Sequence, residues 1–402
     1  GKTREDVFPF GFFVSWGGWL AGGLELLETA VGNHMIPVSP FEPGGIDAVE
    51  AHLQKSDLLG LRWTFDLQHV YRNETALREQ VSQFQAFDAI HSWYLADEPD
   101  GAGNIEGPPV GVEPAEVYAA YRIVKEMDPK RPVLISLNCM HSAKIYQHAA
   151  DIIMVDPYPI SIDAGPCTPE FGCCGCDDCV GSVQDVANRL DHVADQLEDP
   201  SKPIWLVAQA FGKELHWSRE PTPAELRCMT YLGLQHGASG IVYWLQTQST
   251  SPLIDEVKQL AEEVKHISSY LLDPAAVVQK VTLHETVHSA WLDVYTVAVL
   301  QSNGISNSSG EDEVCAGTSS RRALLLVTNT RPSSIEGSFE FSLQDLGLSM
   351  QEAKVEFESH NDNDNIRVSK RREPRTLRVS GGLLVDNVGF PPFGTRVYEF
   401  EQ

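Results

Sequence analysis

The sequence predicts an α/β fold, a (β/α)8 barrel of the TIM type, followed by an all-β antiparallel sandwich domain. Three observations predict it. From residue 8 to about residue 245, eight short apolar runs alternate with segments of helical period, and eight β/α units within about 250 residues make a closed parallel barrel. Beyond a helical segment near 254–271 the texture changes to period-two, β-branched runs broken by Asn, Gly and Ser turns, as antiparallel strands with one buried face require. The turn after the first run, "SWGGWLAGG", has glycines but no G-x-G-x-x-G, and its tryptophans are unsuited to cradling a pyrophosphate, so a doubly wound nucleotide-binding sheet is disfavoured. The division is a catalytic barrel over 1–272 with a cysteine-rich loop at 160–181, then a sandwich over 273–402.

The eight barrel runs are "FPFGFFVSW" (8–16), "HMIPVS" (34–39), "GLRWTFD" (60–66), "SWYLADE" (92–98), "PVLISLN" (132–138), "DIIMVDPYP" (151–159), "PIWLVAQAF" (203–211) and "GIVYWLQ" (240–246). Helices between them carry start and stop signals. Ser182 and Asp185 form a capping-box-like pair ahead of Val183, Val186, Leu190, Val193 and Leu197, whose spacing makes one apolar face. Thr222, Pro223 and Glu225 read as cap, first-turn proline and reciprocal cap, and Gly237 is placed to stop that helix. In the second domain the runs "VVQKVTLHE", "WLDVYTVAVLQ", "RRALLLVTNT", "GSFEFSL", "KVEFESH", "TLRVSGGLLVD" and "TRVYEFEQ" read as strands, and "SNGISNSSGEDEVCAGTSS" as a polar surface loop.

A chain of 402 residues is long enough for one large core and one smaller. Its formal net charge of -26 opposes binding to nucleic acid or to an anionic membrane surface. No uninterrupted apolar run approaches the roughly 20 residues of a membrane span. The expected partner is therefore neutral or cationic. Five of the eight cysteines crowd into "CTPEFGCCGCDDC", namely Cys167, Cys173, Cys174, Cys176 and Cys179. The segment holds no histidine, which favours disulfides over a metal cluster, with Cys139 as the sixth member. Sequons at Asn73 ("NET") and Asn307 ("NSS") point, with the cysteines, to a secreted glycoprotein. The chain opens on the charged "GKTRED" rather than on a signal peptide, as a processed mature chain would.

Active sites of such barrels lie at the C-terminal ends of the strands. There the sequence places Trp16, Asp66, Asp97, Glu98, Asn138, Asp156, Tyr158, Gln209, Tyr243, Trp244 and Gln246. Carboxylates, amides and indoles converging on one cavity suit a carbohydrate, because amides and carboxylates bond hydroxyls while aromatic faces stack on sugar rings. The expected substrate-binding residues are Trp16, Asp66, Asn138, Tyr158, Gln209, Tyr243, Trp244 and Gln246. The expected catalytic residues are Glu98, Asp97 and Asp156. His69, His141 and His216 form no H-E-x-x-H or comparable set, so no metal and no other cofactor is expected.

The stretch "WYLADEPD" resembles the fourth-strand motif of TIM-barrel glycoside hydrolases, in which a carboxylate before proline is the general acid/base. "GASGIVYW" is similar to their eighth strand, and "TRVYEFE" to the last strand of their accessory sandwich. The resemblance implies that Glu98 is the proton donor. It also departs from the pattern: where retaining members carry a strand-seven glutamate nucleophile, this chain has Gln209, an amide that cannot attack an anomeric carbon. Three replacements stay open. Asp97 and Glu98 act together on a substrate 2-acetamido group, as in substrate-assisted β-N-acetylhexosaminidase and β-N-acetylgalactosaminidase families. Alternatively Asp156 or Asp66 supplies the second carboxylate, or Glu214 folds back from its loop. The substrate-assisted version needs the chain to turn at Glu98, since strand neighbours point to opposite faces. A carbohydrate-binding protein on a barrel without activity is the rival reading. A non-glycosidic hydrolase has neither a G-x-S-x-G elbow nor a metal set behind it.

Overall fold

A computed structural model describes residues 7–38, 45–101, 111–161, 179–214, 217–273, 276–281, 292–299, 322–342, 352–362, 365–380 and 383–401. The chain divides into two compact units, Val7–Lys265 and the unit that begins at His266.

The first unit is a closed barrel of eight parallel strands in sequence order. They are β1 (Phe10–Ser15), β2 (His34–Val38), β3 (Arg62–Asp66), β4 (Ile90–Ala96), β5 (Val133–Leu137), β6 (Ile152–Val155), β7 (Ile204–Gln209) and β8 (Gly240–Trp244), and β8 pairs back onto β1. Seven of the eight expected runs contain their strand; β4 starts at Ile90, two residues before its run, and ends at Ala96, short of Asp97 and Glu98. The strands are apolar on both faces because one lines the lumen and the other meets helices. Phe13, Ile36, Tyr94, Leu134, Met154, Trp205, Val207 and Val242 fill the interior. Trp63 and Trp93 face outward, their indole N–H groups donating to Ser56 at 2.9 Å and Asp128 at 3.1 Å. Gly240 is needed because a Cβ there would lie 2.6 Å from the Trp205 ring. Trp205 in turn packs on the buried ring of His34 and the half-buried ring of His91, and His34 Nε2, Thr64 Oγ1 and Ser92 Oγ form a chain with links of 2.7 Å. This indole and these imidazoles plug the lower lumen.

The connecting helices are α1 (Gly45–Leu59), α2 (Glu74–Phe84), α3 (Pro114–Met127), α4 (Ala143–Tyr146), α5 (Asp185–Ala194), α6 (Pro223–Gln235) and α7 (Ser251–Leu271). Two 3-10 turns replace a helix between β1 and β2. The Thr222–Glu225 capping box is present as expected, and Gly237 follows α6 with φ 81°. The Ser182–Asp185 expectation holds in its reciprocal half and fails in the other. Asp185 turns its carboxylate back to the amides of Val180, Gly181 and Ser182 at 2.9–3.0 Å, while Ser182 Oγ accepts from Gln184 N rather than from the amide of a third-turn partner.

The second unit holds β9 (Ala276–Lys280), β10 (Leu292–Val299), β11 (Arg322–Asn329), β12 (Phe339–Ser342), β13 (Glu352–Asp362), β14 (Asn365–Ser380), β15 (Leu383–Asp386) and β16 (Thr395–Glu401). All pairings are antiparallel, in the order β12-β15-β14-β13-β16-β11-β10-β9. The sandwich is one continuous sheet that curls over its own core: Phe341 of β12 and Tyr398 of β16 lie four places apart in the sheet, yet their ring centroids are 5.8 Å apart. Inside it Asp386 receives Arg375, Arg396 and the Tyr398 hydroxyl, while Arg396 also pairs with Glu358 at 2.7 Å. The strand from 365 to 375 lies outside the runs read from the sequence. Its alternation is masked by the charges of "SKRREPR".

Candidate active site

Strand β4 delivers its carboxylates through a turn. After Ala96 the chain bends, Glu98 takes a left-handed φ of 41°, and its amide donates to Ser136 O of β5 at 3.0 Å. An L-residue occupies that region only when its surroundings enforce it. The bend lets adjacent side chains, which a regular strand would send to opposite faces, approach the same space. Asp100 fixes the far side of the turn, accepting the amides of Asn138 at 3.3 Å and Cys139 at 2.9 Å.

Four acidic groups and two phenols gather there. Glu98 and Asp156, at the ends of β4 and β6, are hydrogen-bonded carboxyl to carboxyl. Burial raises both; the charge of Asp156 raises Glu98 further, whereas the hydrogen bond from Glu98 eases Asp156 back down. Asp156 is pushed up to about 7, with Arg189 partly opposing, and Glu98 is raised well above the usual carboxylate range. Glu98 therefore keeps the shared proton and donates it to Asp156. Ser136 Oγ also reaches Asp156 Oδ2, at 3.5 Å. Asp97 opens toward the solvent of the mouth and accepts the Tyr94 hydroxyl. Its depth among protein atoms nonetheless strips enough water to push it up to about 6, with Asp66 and Asp100 adding repulsion. Tyr158 projects its phenol among Asp156, Glu98, Asp97 and Glu214, and burial followed by these charges raises it well above the usual phenol range.

The remaining expected residues divide. Asp66 is buried at the end of β3, and both its oxygens accept from Gln68 at 2.9 Å. Asn138 is buried beside Asp100, and its carbonyl receives Arg189 Nη1 at 2.5 Å. Trp244 is half-buried at the top of the lumen, edge-on to Phe13 at 5.1 Å, and Gln246 is half-buried just beyond it. Three assignments are corrected. Gln209 is fully buried and its amide is spent on backbone: Oε1 accepts Ile160 N at 2.8 Å, and Nε2 donates to Ile160 O and Phe211 O. It clasps the β6 connection rather than a sugar. Tyr243 points outward to Thr230 Oγ1 of α6 at 2.7 Å. Trp16 is buried against His52 of α1, ring centroids 4.9 Å apart. Sequence reading missed Tyr94, Ser136, Asp100 and Arg189. For Tyr94 a signal exists, since it lies near the C-terminal end of β4, only three residues before Asp97.

Glu214 lies in the connection after β7, near Tyr158. Its Oε2 is buried and accepts no hydrogen bond. Beside it Tyr158, Phe211 and Trp217 form an aromatic wall with centroids 5.0–5.8 Å apart, tied by Trp217 Nε1 donating to Tyr158 O at 2.8 Å. Cys139 and Cys179 are each disulfide-bonded. Cys167, Cys173, Cys174, Cys176, His216 and Asn307 lie outside the described residues. Within the described barrel, the His, Asp and Glu side chains of the mouth form no set with metal-ligand spacing.

No family model and no curated protein matches the chain. Solved structures do. An α-L-arabinofuranosidase of family 51 from Bifidobacterium longum superposes with TM-score 0.55 at 14% identity over 98% of this chain and 96% of that one. An α-galactosidase from Saccharomyces cerevisiae gives 0.54 at 11% over 99% and 98%. A β-galactosidase from the psychrophilic Marinomonas ef1 gives 0.51 at 13%, with 66% of this chain spanning 62% of that enzyme. At such identities the likeness is one of fold: the closed barrel and the antiparallel unit that follows it.

Proposed function

We propose that the chain is a glycoside hydrolase in which Glu98 is the general acid/base. The observation that carries the reading is the Glu98–Asp156 carboxyl pair at the strand ends of a closed barrel, where burial and the Asp156 charge raise Glu98 well above the usual carboxylate range, as a proton donor requires. The names of the superposable enzymes, all glycosidases, support the same reaction class.

Asp156 does not serve as the second catalytic carboxylate in this reading. A retaining pair stands roughly 5–5.5 Å apart and an inverting pair roughly 6.5–9.5 Å, leaving room for the sugar between them. Carboxyls that share a proton are closer than either. Asp66 is engaged by Gln68 on both oxygens. Asp97 is the carboxylate this reading takes, in preference to Glu214 of the β7 connection, because the left-handed turn brings it beside Glu98, exposed to the mouth and steadied by Tyr94. The substrate then carries a β-linked 2-acetamido sugar. Glu98 gives its proton to the leaving oxygen while the acetamide oxygen attacks the anomeric carbon, and Asp97 accepts a hydrogen bond from the acetamide N–H. Glu98, now ionised, takes a proton from the water that opens the cyclic intermediate, so configuration is retained.

An extracellular setting is part of the proposal, supported by the disulfide-bonded Cys139 and Cys179 and by Asn73, exposed at the N-cap of α2 within its sequon. Hydrolysis of aryl β-hexosides and amino-sugar oligosaccharides tests the reading, with anomeric NMR of the product. Expected is cleavage of N-acetylhexosaminides with retention, lost in Glu98→Gln and Asp97→Asn. Inversion, or cleavage of plain hexosides alone, overturns the acetamide mechanism.

A further inference from the structure

We propose that His266, Glu356 and Glu399 form a binding site for a zinc-like divalent cation, seated in the second unit and independent of the barrel's chemistry.

The three side chains come from three elements of that unit: His266 from the later turns of α7, Glu356 from β13 and Glu399 from β16. One donor atom of each, an imidazole nitrogen and two carboxylate oxygens, lies within 4.8 Å of the other two. Four-coordinate zinc, with bonds of about 2.0–2.2 Å, holds its donors about 3.3–3.6 Å apart. His266 Nε2 and Glu356 Oε2 already stand at 3.6 Å. The contraction left for Glu399 is on the order of 1 Å, within reach of glutamate rotamers. The imidazole also decides the metal. Calcium and magnesium take oxygen shells, whereas one nitrogen with two carboxylates suits zinc and its transition-metal neighbours. The ligands lie 90 and 43 residues apart in the chain, so no motif announces them.

A second observation is the distortion of β13 at Glu356. Its register shifts between Val355 and Phe357 on both ladders, with β14 and with β16, which leaves Glu356 as an extra residue. Val355 lies in the core of the sheet. A regular strand would return Phe357 to that same face. The bulge instead turns Glu356 and Phe357 together toward α7, where the Phe357 ring meets the His266 imidazole edge-on at 5.4 Å. Bulges re-aim side chains in this way beside functional sites. Glu399 is oriented too, its Oε1 accepting the Tyr270 hydroxyl at 2.7 Å, the kind of outer-shell bond that steadies a metal ligand. Among the described residues neither glutamate pairs with a lysine or an arginine, and a cation would offset the repulsion between the two carboxylates. A bound ion links α7 to β13 and β16 and stabilises the folded unit according to its occupancy.

The test uses the full chain with its disulfides intact, stripped of metal and titrated calorimetrically with zinc chloride at neutral pH. Expected is one ion per chain, bound at least tenfold more weakly in His266→Ala and in Glu356→Gln. Tyr270→Phe, which keeps its ring under Arg322 and loses only the hydroxyl, should weaken binding several-fold. Zinc should raise the thermal midpoint of wild type and leave that of His266→Ala unmoved. Glu356→Gln preserves shape, so it reports even if the alanine variant fails to fold. Absence of zinc binding overturns the assignment, as does calcium bound as tightly as zinc. Binding undiminished in both variants places the ion on other ligands and overturns it equally.

Discussion

Replacing Asp156 by asparagine should stabilise the fold at alkaline pH while impairing the site. The carboxyl is 3% exposed, and its pKa rises from 3.8 to about 7 on folding, mainly through burial. A raised acid makes the folded state bind more protons than the unfolded one between those two values, so its contribution to stability falls as pH climbs through that window. The cost of burying Asp156 rises from roughly 2 kcal/mol at pH 5 to roughly 4 kcal/mol at pH 8. Wild type and Asp156→Asn should therefore diverge by roughly 2–3 kcal/mol between pH 5 and 8, the variant gaining. Urea unfolding of both at pH 5, 6, 7 and 8 measures this. Comparing the two cancels every other titrating group to first order. Relief of Glu98, which no longer faces Asp156, acts in the same direction and moves the alkaline limb of the pH–rate profile downward. Parallel stability curves for the two proteins would refute the shared-proton argument.

Other predictions follow from the same geometry. The acid limb of kcat/KM should fall near pH 6, where Asp97 takes a proton, and Asp97→Asn should abolish that limb together with most activity. His91 is lowered to about 4 by burial, then by Arg62 and Arg131, so the folded state binds fewer protons than the unfolded one below pH 6.5; stability should drop by about 2 kcal/mol from this group between pH 7 and 5, seen as a urea midpoint that recovers in His91→Asn. Gln209→Glu, which restores the familiar strand-seven residue, should create no activity and should destabilise by about 3 kcal/mol, because the carboxylate would face the Ile160 and Phe211 carbonyls that Nε2 now satisfies. Arg396→Met should cost about 3–5 kcal/mol by leaving Asp386 and Glu358 buried without this partner; a loss under 1 kcal/mol in thermal or urea unfolding would show that Arg375 suffices.

Strand positions in the barrel were legible because parallel strands buried on both faces read as apolar runs between turns, and the carboxylates that end β4 and β6 stand out against such runs. What was not legible is side-chain direction. Tyr243 and Trp244 are neighbours in β8, so only one can face the lumen, and the choice depends on a register that composition does not reveal. Gln209 shows a second limit: a buried amide needs partners, but here the backbone of the β6 connection supplies them. The turn at Glu98 was required by the chemistry and hinted at by Pro99. Its left-handed φ, however, is accompanied by Asp100 holding the amides of Asn138 and Cys139 just past β5, contacts made across about 40 residues of chain. In the second unit "SKRREPR" hid a strand, since β14 is charged where an ordinary strand alternates.

The order of strands in the curled sheet has a bearing on how the polypeptide matures at the ribosome. The barrel adds each strand beside the one made before it, and can close once β8 has emerged. The sheet cannot behave that way, because β16, the latest of its eight described strands in chain order, lies between β11 and β13 and joins its two halves. Until β16 arrives, β11 and β13 present unpaired edges to other nascent chains. The chaperone demand of this protein should thus concentrate in the interval between completion of its barrel and release of β16, and pulse-labelled nascent chains halted before residue 395 should be the species that holdases retain.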